Sequence, residues 1–166
     1  MKELTVGIDI GGTNTKFGVV DRDGKVYHQA NIVTTDYEEF NDFFDSMADA
    51  MREAIHFLPP DSKIAGIGIG AANGNYYKGT IERATNLKWK GVLPLAKMFK
   101  DEFGVPCILT NDANAAAVGE MIYGRAKGMK DFVVITLGTG LGSGFVCGGI
   151  LLNGHHGIAG ELGHTS

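Results

Sequence analysis

The stretch Leu4-Thr5-Val6-Gly7-Ile8-Asp9-Ile10-Gly11-Gly12-Thr13-Asn14-Thr15-Lys16-Phe17-Gly18-Val19-Val20-Asp21-Arg22-Asp23-Gly24 decides the fold. Leu4 to Ile10 is a short β-branched run, Lys16 to Val20 repeats that character, and Asp21 to Gly24 is a turn signal. Val26 to Val33 reads as a third strand, so the chain opens as an antiparallel meander. The next stretch lacks glycine. It carries Phe40, Phe43, Phe44, Met47, Met51, Ala54 and Ile55 at helical spacing, and Pro59-Pro60 ends the helix. Ile64 to Gly70 then reads as a buried strand, Pro94 to Phe103 as a helix, Cys107 to Thr110 as a core strand and Asn111 to Tyr123 as an alanine-rich helix. The order βββαβαβα predicts an α/β fold, a mixed sheet covered by helices.

After Gly124 the pattern starts again. Phe132-Val133-Val134-Ile135-Thr136-Leu137-Gly138-Thr139-Gly140 matches Thr5 to Thr13 in kind: an apolar strand, a Gly/Thr turn, then a second strand containing glycine. This weak internal repeat predicts a first domain over residues 1–123 and the incomplete start of a similar second domain over 124–166. Strands from 131 to 152 without covering helices leave apolar faces and open edges. Disorder there, or pairing with another copy, is expected, and a homodimer is the favoured state.

Composition narrows the class. Glycine accounts for 25 of 166 residues, with ten of them between Gly138 and Gly163 and none between Gly24 and Gly66. With only 4 prolines and no three-residue period, the chain is neither disordered by composition nor collagen-like. A mean hydropathy of +0.01 fits a soluble globular domain, and no apolar run approaches the ~20 residues of a membrane span. Mild acidity, net charge -4 without a basic cluster, argues against a nucleic-acid surface. Strand character begins at the N-terminus, so no signal peptide is expected and a cytoplasmic location follows. Cys107 and Cys147 sit in hydrophobic surroundings and read as buried free thiols.

Two loops carry phosphate-binding character. Gly11-Gly12-Thr13 lies between two strands, where missing Cβ atoms let backbone N–H groups approach a phosphate and Thr13 adds a hydroxyl. It is neither a P-loop nor a dinucleotide fingerprint. Asp9 beside it is either a turn-capping carboxylate or the holder of a phosphate-bound Mg²⁺ through water. Gly138-Thr139-Gly140-Leu141-Gly142-Ser143-Gly144 matches the first loop, and its glycines suggest close approach to a ligand. Two such turns on repeated meanders imply two domains gripping one polyphosphate. Asn111-Asp112 opens a helix directly after a strand. Asp112 is therefore either a helix cap or, at a strand-to-helix junction where α/β sheets bind ligands, a general base. Glu161 and His164, three apart, share a face if helical and suit sugar hydroxyls, while His155-His156 read as surface residues.

Together these residues resemble the ROK family of sugar kinases and repressors, above all its glucokinases. The resemblance rests on Asp9-Ile10-Gly11-Gly12-Thr13, Asn86-Leu87-x-Trp89, Asn111-Asp112-Ala113-Asn114-Ala115-Ala116-x-x-Gly119-Glu120, Leu137-Gly138-Thr139-Gly140-x-Gly142 and Gly160-Glu161-x-Gly163-His164, in that order over the whole chain. It implies an actin/hexokinase-like (ribonuclease H-like) two-domain fold and ATP-dependent phosphorylation of a hexose, with glucose leading and N-acetylmannosamine, N-acetylglucosamine and fructose as alternatives. By position, Asp112 would take the proton of the sugar's 6-hydroxyl. Gly74, Asn111, Glu161 and His164 would join it in binding sugar. Gly11, Gly12, Thr13, Gly138, Thr139 and Gly140 would hold the ATP phosphates, with Mg²⁺ near Asp9. In the family the histidine equivalent to His164 also ligates a structural zinc with three cysteines of a segment that does not occur in these 166 residues. One ligand of four should not hold zinc, and an inactive chain is expected. Ala71-Ala72-Asn73-Gly74 lacks a proline that the family often has, which weakens the inference for Gly74. Repressors of the family carry a DNA-binding module ahead of the phosphate loop; a loop starting by residue 9 favours the kinase branch over a non-catalytic sugar sensor.

Overall fold

Alternating apolar residues in the opening strand turn Leu4, Val6, Ile8 and Ile10 to one side, where all four are buried. A computed structural model describes residues 1–137, 140–157 and 159–160. Its elements run β1 (Lys2–Ile10), β2 (Asn14–Asp21), β3 (Val26–Val33), α1 (Phe40–His56), β4 (Ser62–Ala71), β5 (Gly74–Asn75), β6 (Thr80–Glu82), β7 (Val92–Leu93), α2 (Leu95–Phe103), β8 (Cys107–Thr110), α3 (Asp112–Ile122), β9 (Phe132–Leu137), β10 (Leu141–Cys147) and β11 (Ile150–Leu151). The central sheet has the order β3-β2-β1-β4-β8. β1, β2 and β3 are antiparallel neighbours, while β4 lies parallel to β1, and β8 to β4. This is the predicted mixed sheet.

The helical period of α1 places Phe43, Met47 and Met51 on one face, and these pack with Phe99 of α2 against β1. Leu87 and Trp89 close this core from the connection before β7, the Trp89 ring lying 4.6 Å from Phe43 and 5.5 Å from Phe40. The connection also folds into a small sheet, β5-β6-β7, which the sequence reading leaves out. Strands of two or three residues carry no period to detect.

α3 covers the opposite face only over β4, where a Cβ on Gly70 would stand 3.2 Å from that of Ala115. Beyond it Gly18, Gly7 and Gly68 lie side by side across β2, β1 and β4, leaving a broad apolar trough of about 940 Å³.

β9, β10 and β11 form a separate antiparallel sheet, as the repeat predicts, and its inner face rests on α3. At Gly142 and Gly144 packing supplies a cause of its own, beside the ligand approach suggested by sequence. A Cβ on Gly144 would lie 2.7 Å from both the Ala113 carbonyl oxygen and the Ala117 Cβ, and one on Gly142 3.1 Å from the Ala113 Cβ. The helix is the close neighbour of Gly144, while the nearest atom to a Cβ on Gly142 is the Thr136 Oγ1 of β9, at 2.5 Å. On the outer face Val133, Ile135, Leu137 and Ile150 are exposed. Cys147 is exposed too, against expectation, because the last residue of β10 faces away from α3. Its thiol is raised by a hydrogen bond to Asp131, whereas burial pushes Cys107 up to about 12. Both thiols are free. Among the described residues no helix is long and apolar enough to cross a membrane.

Candidate active site

Parallel strands end together, so the residues at their carboxyl ends converge. Lys16, Asp9, Gly70 and Thr110 follow one another across β2, β1, β4 and β8 in register. Asp9 points away from the α1 side, since its neighbours Ile8 and Ile10 point towards it. The chain leaves β8 through Asn111 and enters α3.

Two roles compete at that junction, and the structure divides them between adjacent residues. Asn111 is the helix cap: it is buried, its φ and ψ are extended, and its Oδ1 accepts from the Asn114 N–H at 2.8 Å. Asp112 is thus the first helical residue and is exposed. Its carboxylate enters a cavity of about 370 Å³ shared with Asp9, Gly70, Ala116 and Thr136. Loss of surrounding water, and then the negative charge of Asp112, pushes the Asp9 carboxyl above its ordinary range, with Lys16 opposing. Asp9 and Asp112 line one cavity and Lys16 stands beside Asp9, an arrangement that could hold a cation through water. The described residues hold no cluster of three or more His, Cys, Asp or Glu side chains, so the rest of a magnesium shell would come from water and phosphate oxygens.

The Gly11-Gly12-Thr13 turn leaves β1 directly beyond Asp9. Gly11 donates its N–H to the Asn14 carbonyl at 3.0 Å, and a Cβ on Gly12 would collide with the Asn86 carbonyl oxygen. Packing alone therefore requires Gly12, and the Asn86-Leu87-x-Trp89 motif supports the turn from behind. Thr13 is exposed at its tip. Gly74 is buried, and a Cβ there would meet the Thr110 carbonyl, which brings its loop against the Asn111-Asp112 junction. Gly140 is exposed at the head of β10, with open space around it. Gly138, Thr139, Glu161 and His164, with the zinc assignment to His164, lie outside the described residues.

Thr136 is the cavity residue that sequence reasoning missed. The alternation of β9 places it on the α3 side with Phe132 and Val134, so strand phase was the available signal.

A five-stranded mixed sheet led by a meander, with its cleft at the parallel carboxyl edge, is an α/β domain of the actin/hexokinase-like class. The chain belongs to the ROK family, whose model matches residues 5–166. It is 39% identical over 162 residues to the glucokinase of Streptomyces coelicolor, covering 97% of this chain and 49% of that one. The solved ROK family glucokinase of Streptomyces griseus, in complex with glucose and AMPPNP, is 36% identical and superposes with a TM-score of 0.79 over 98% of this chain and 50% of its own. The xylose repressor of Caldicellulosiruptor bescii is 38% identical over 121 residues, 71% of this chain and 30% of that one. The chain thus spans about half the length of the glucokinases it matches.

Proposed function

We propose that the whole protein transfers the γ-phosphoryl group of ATP to the 6-hydroxyl of a hexose, with glucose the favoured substrate. The observation that carries this is the division of labour at the α3 N-terminus. Asn111 caps the helix through the Asn114 N–H, and Asp112, one oxygen of which accepts the Ala113 N–H, lines the cleft with Asp9. In the step, the sugar O6 forms a bond to the γ-phosphorus as the bond to the ADP oxygen breaks, and the O6 proton passes to an Asp112 oxygen. Bound Mg²⁺ would neutralise phosphate charge there, with Asp9 holding it through water and Lys16 adding positive charge. Thr13 and the turn after β9 would grip the phosphates from two sides, in keeping with a first domain over 1–123 and a second beginning at 124. Glu161 and His164 would supply sugar contacts, and the uncovered face of β9 and β10 a homodimer contact.

A second reading, a sugar sensor without catalysis, is favoured by the likeness to a xylose repressor and separates from the first by chemistry. Sugar-dependent ADP release by the whole protein tests the kinase, with Asp112→Asn lowering kcat about 10²–10⁴-fold. Hexose binding without ADP release would favour the sensor.

A further inference from the structure

Away from the carboxylate pair, one buried polar side chain joins two stretches of chain far apart in sequence. Asn75 of β5 is 4% exposed. Its Oδ1 accepts from the backbone N–H groups of Tyr77 at 3.1 Å and Lys78 at 3.2 Å, closing a local turn. Its Nδ2 reaches in the other direction and donates to the His156 carbonyl at 3.2 Å. Beside it the Tyr76 N–H donates to the Gly157 carbonyl at 3.5 Å. Gly157 permits this approach through a φ of +76° and a missing side chain, since a Cβ would lie 2.8 Å from the Asn75 Oδ1.

One of the two stretches joined here meets the cleft. It carries Gly74, packed against the Thr110 carbonyl one residue before Asn111. The other runs on in sequence from Gly157 to Gly160, Glu161 and His164. Ser143 of β10 holds the second stretch as well, donating its hydroxyl to the Gly160 carbonyl. We propose that Asn75 is a positioning residue: its amide fixes where the segment leading to Glu161 and His164 departs relative to Asp112, and so sets sugar affinity. This rests on the sugar-kinase reading. An amide is required because the position must accept two N–H groups and donate one, which neither a carboxylate nor an alanine can do.

Asn75→Asp separates the two jobs. It keeps the acceptor for Tyr77 and Lys78 but places a carboxylate, with no donor, against the His156 carbonyl. In the whole protein we expect the KM for hexose to rise about tenfold, about 1.4 kcal/mol, with kcat and the KM for ATP held within about twofold. Amide exchange should quicken at Gly157 and Ala159 yet stay slow at Tyr77 and Lys78. Asn75→Ala should quicken all four. An Asn75→Asp enzyme with unchanged hexose KM, or with unchanged exchange at Gly157 and Ala159, overturns the proposal while leaving the kinase standing. A wild-type protein without sugar-dependent ADP release overturns the kinase reading instead.

Discussion

Exchanging glycine for alanine at two strand positions of this chain will change its stability in opposite directions. At Gly68 in β4 nothing lies within 4 Å of the position a Cβ would take, and φ is not left-handed. Alanine there only removes backbone freedom from the unfolded chain, a gain of about 0.5–1 kcal/mol. Gly144 in β10 has the same strand geometry and would make the same gain. Its new methyl group, however, would lie 2.7 Å from the Ala113 carbonyl oxygen and 2.7 Å from the Ala117 Cβ. Both belong to the body of α3, with no flexible side-chain end to yield. Overpacking of this kind costs about 1–3 kcal/mol, leaving a net loss of up to about 2.5 kcal/mol. With a urea m-value near 2 kcal/mol/M, the midpoint should fall by up to about 1.25 M for Gly144→Ala and rise by about 0.25–0.5 M for Gly68→Ala. Far-UV circular dichroism in urea reads both. A Gly144→Ala midpoint at or above that of the wild type would refute helix packing as the reason for this glycine. The turn-and-ligand explanation would then return.

At the α3 junction, Asn111→Ala should lower stability by about 1 kcal/mol through loss of the cap, and Asp112→Ala by less, since it gives up the Ala113 N–H but relieves the charge beside Asp9. Equal losses would mean that capping is shared rather than divided. The pH dependence at Asp9 has a definite sign. Its folded carboxyl takes up a proton at higher pH than the unfolded one, so the folded state binds more protons in that window and stability falls as pH rises through it. Asp9→Asn should therefore stabilise the chain at pH 7 and make no difference at about pH 3; a variant no more stable at pH 7 would remove the electrostatic strain from the account. The exposed strip Val133, Ile135, Leu137 and Ile150 should make this chain self-associate. Light scattering should show the dimer lost in Ile135→Lys, and a wild-type monomer at high concentration would dispose of the idea.

What could be read from the sequence depended on repetition. β1 announces itself by alternation and α1 by intervals of three and four, because each repeats its period several times before it ends. β5, β6 and β7 end before any period can be established, and so does the Asn75 turn, whose partner lies 81 residues away. Glycine was harder for another reason. A missing Cβ answers to any close neighbour, whether phosphate, helix or carbonyl, and the residue type does not say which. Gly142 and Gly144 therefore read as a ligand loop although Thr136 and α3 stand against them, and Gly12 meets the Asn86 carbonyl whether or not a phosphate ever arrives.

Asn111-Asp112 shows how such an ambiguity is resolved. From composition alone either residue is a good cap, and a cap needs no function to explain it. A helix N-terminus, however, accepts one N-cap, and Asn111 occupies it with its Oδ1 on the Asn114 N–H. The next carboxylate accepts the Ala113 N–H at 2.8 Å through one oxygen, a smaller first-turn contact that alanine would lose. Yet its charge helps to raise the Asp9 carboxyl, at the edge where three parallel strands converge. Carboxylates held together are eased when a cation binds, and a phosphate-bound Mg²⁺ that Asp9 would hold through water is a ligand that would do so. Mg²⁺ with ATP should therefore raise the urea midpoint of the wild-type whole protein and raise that of Asp9→Asn less. Equal shifts in the two would detach the nucleotide from this carboxylate pair.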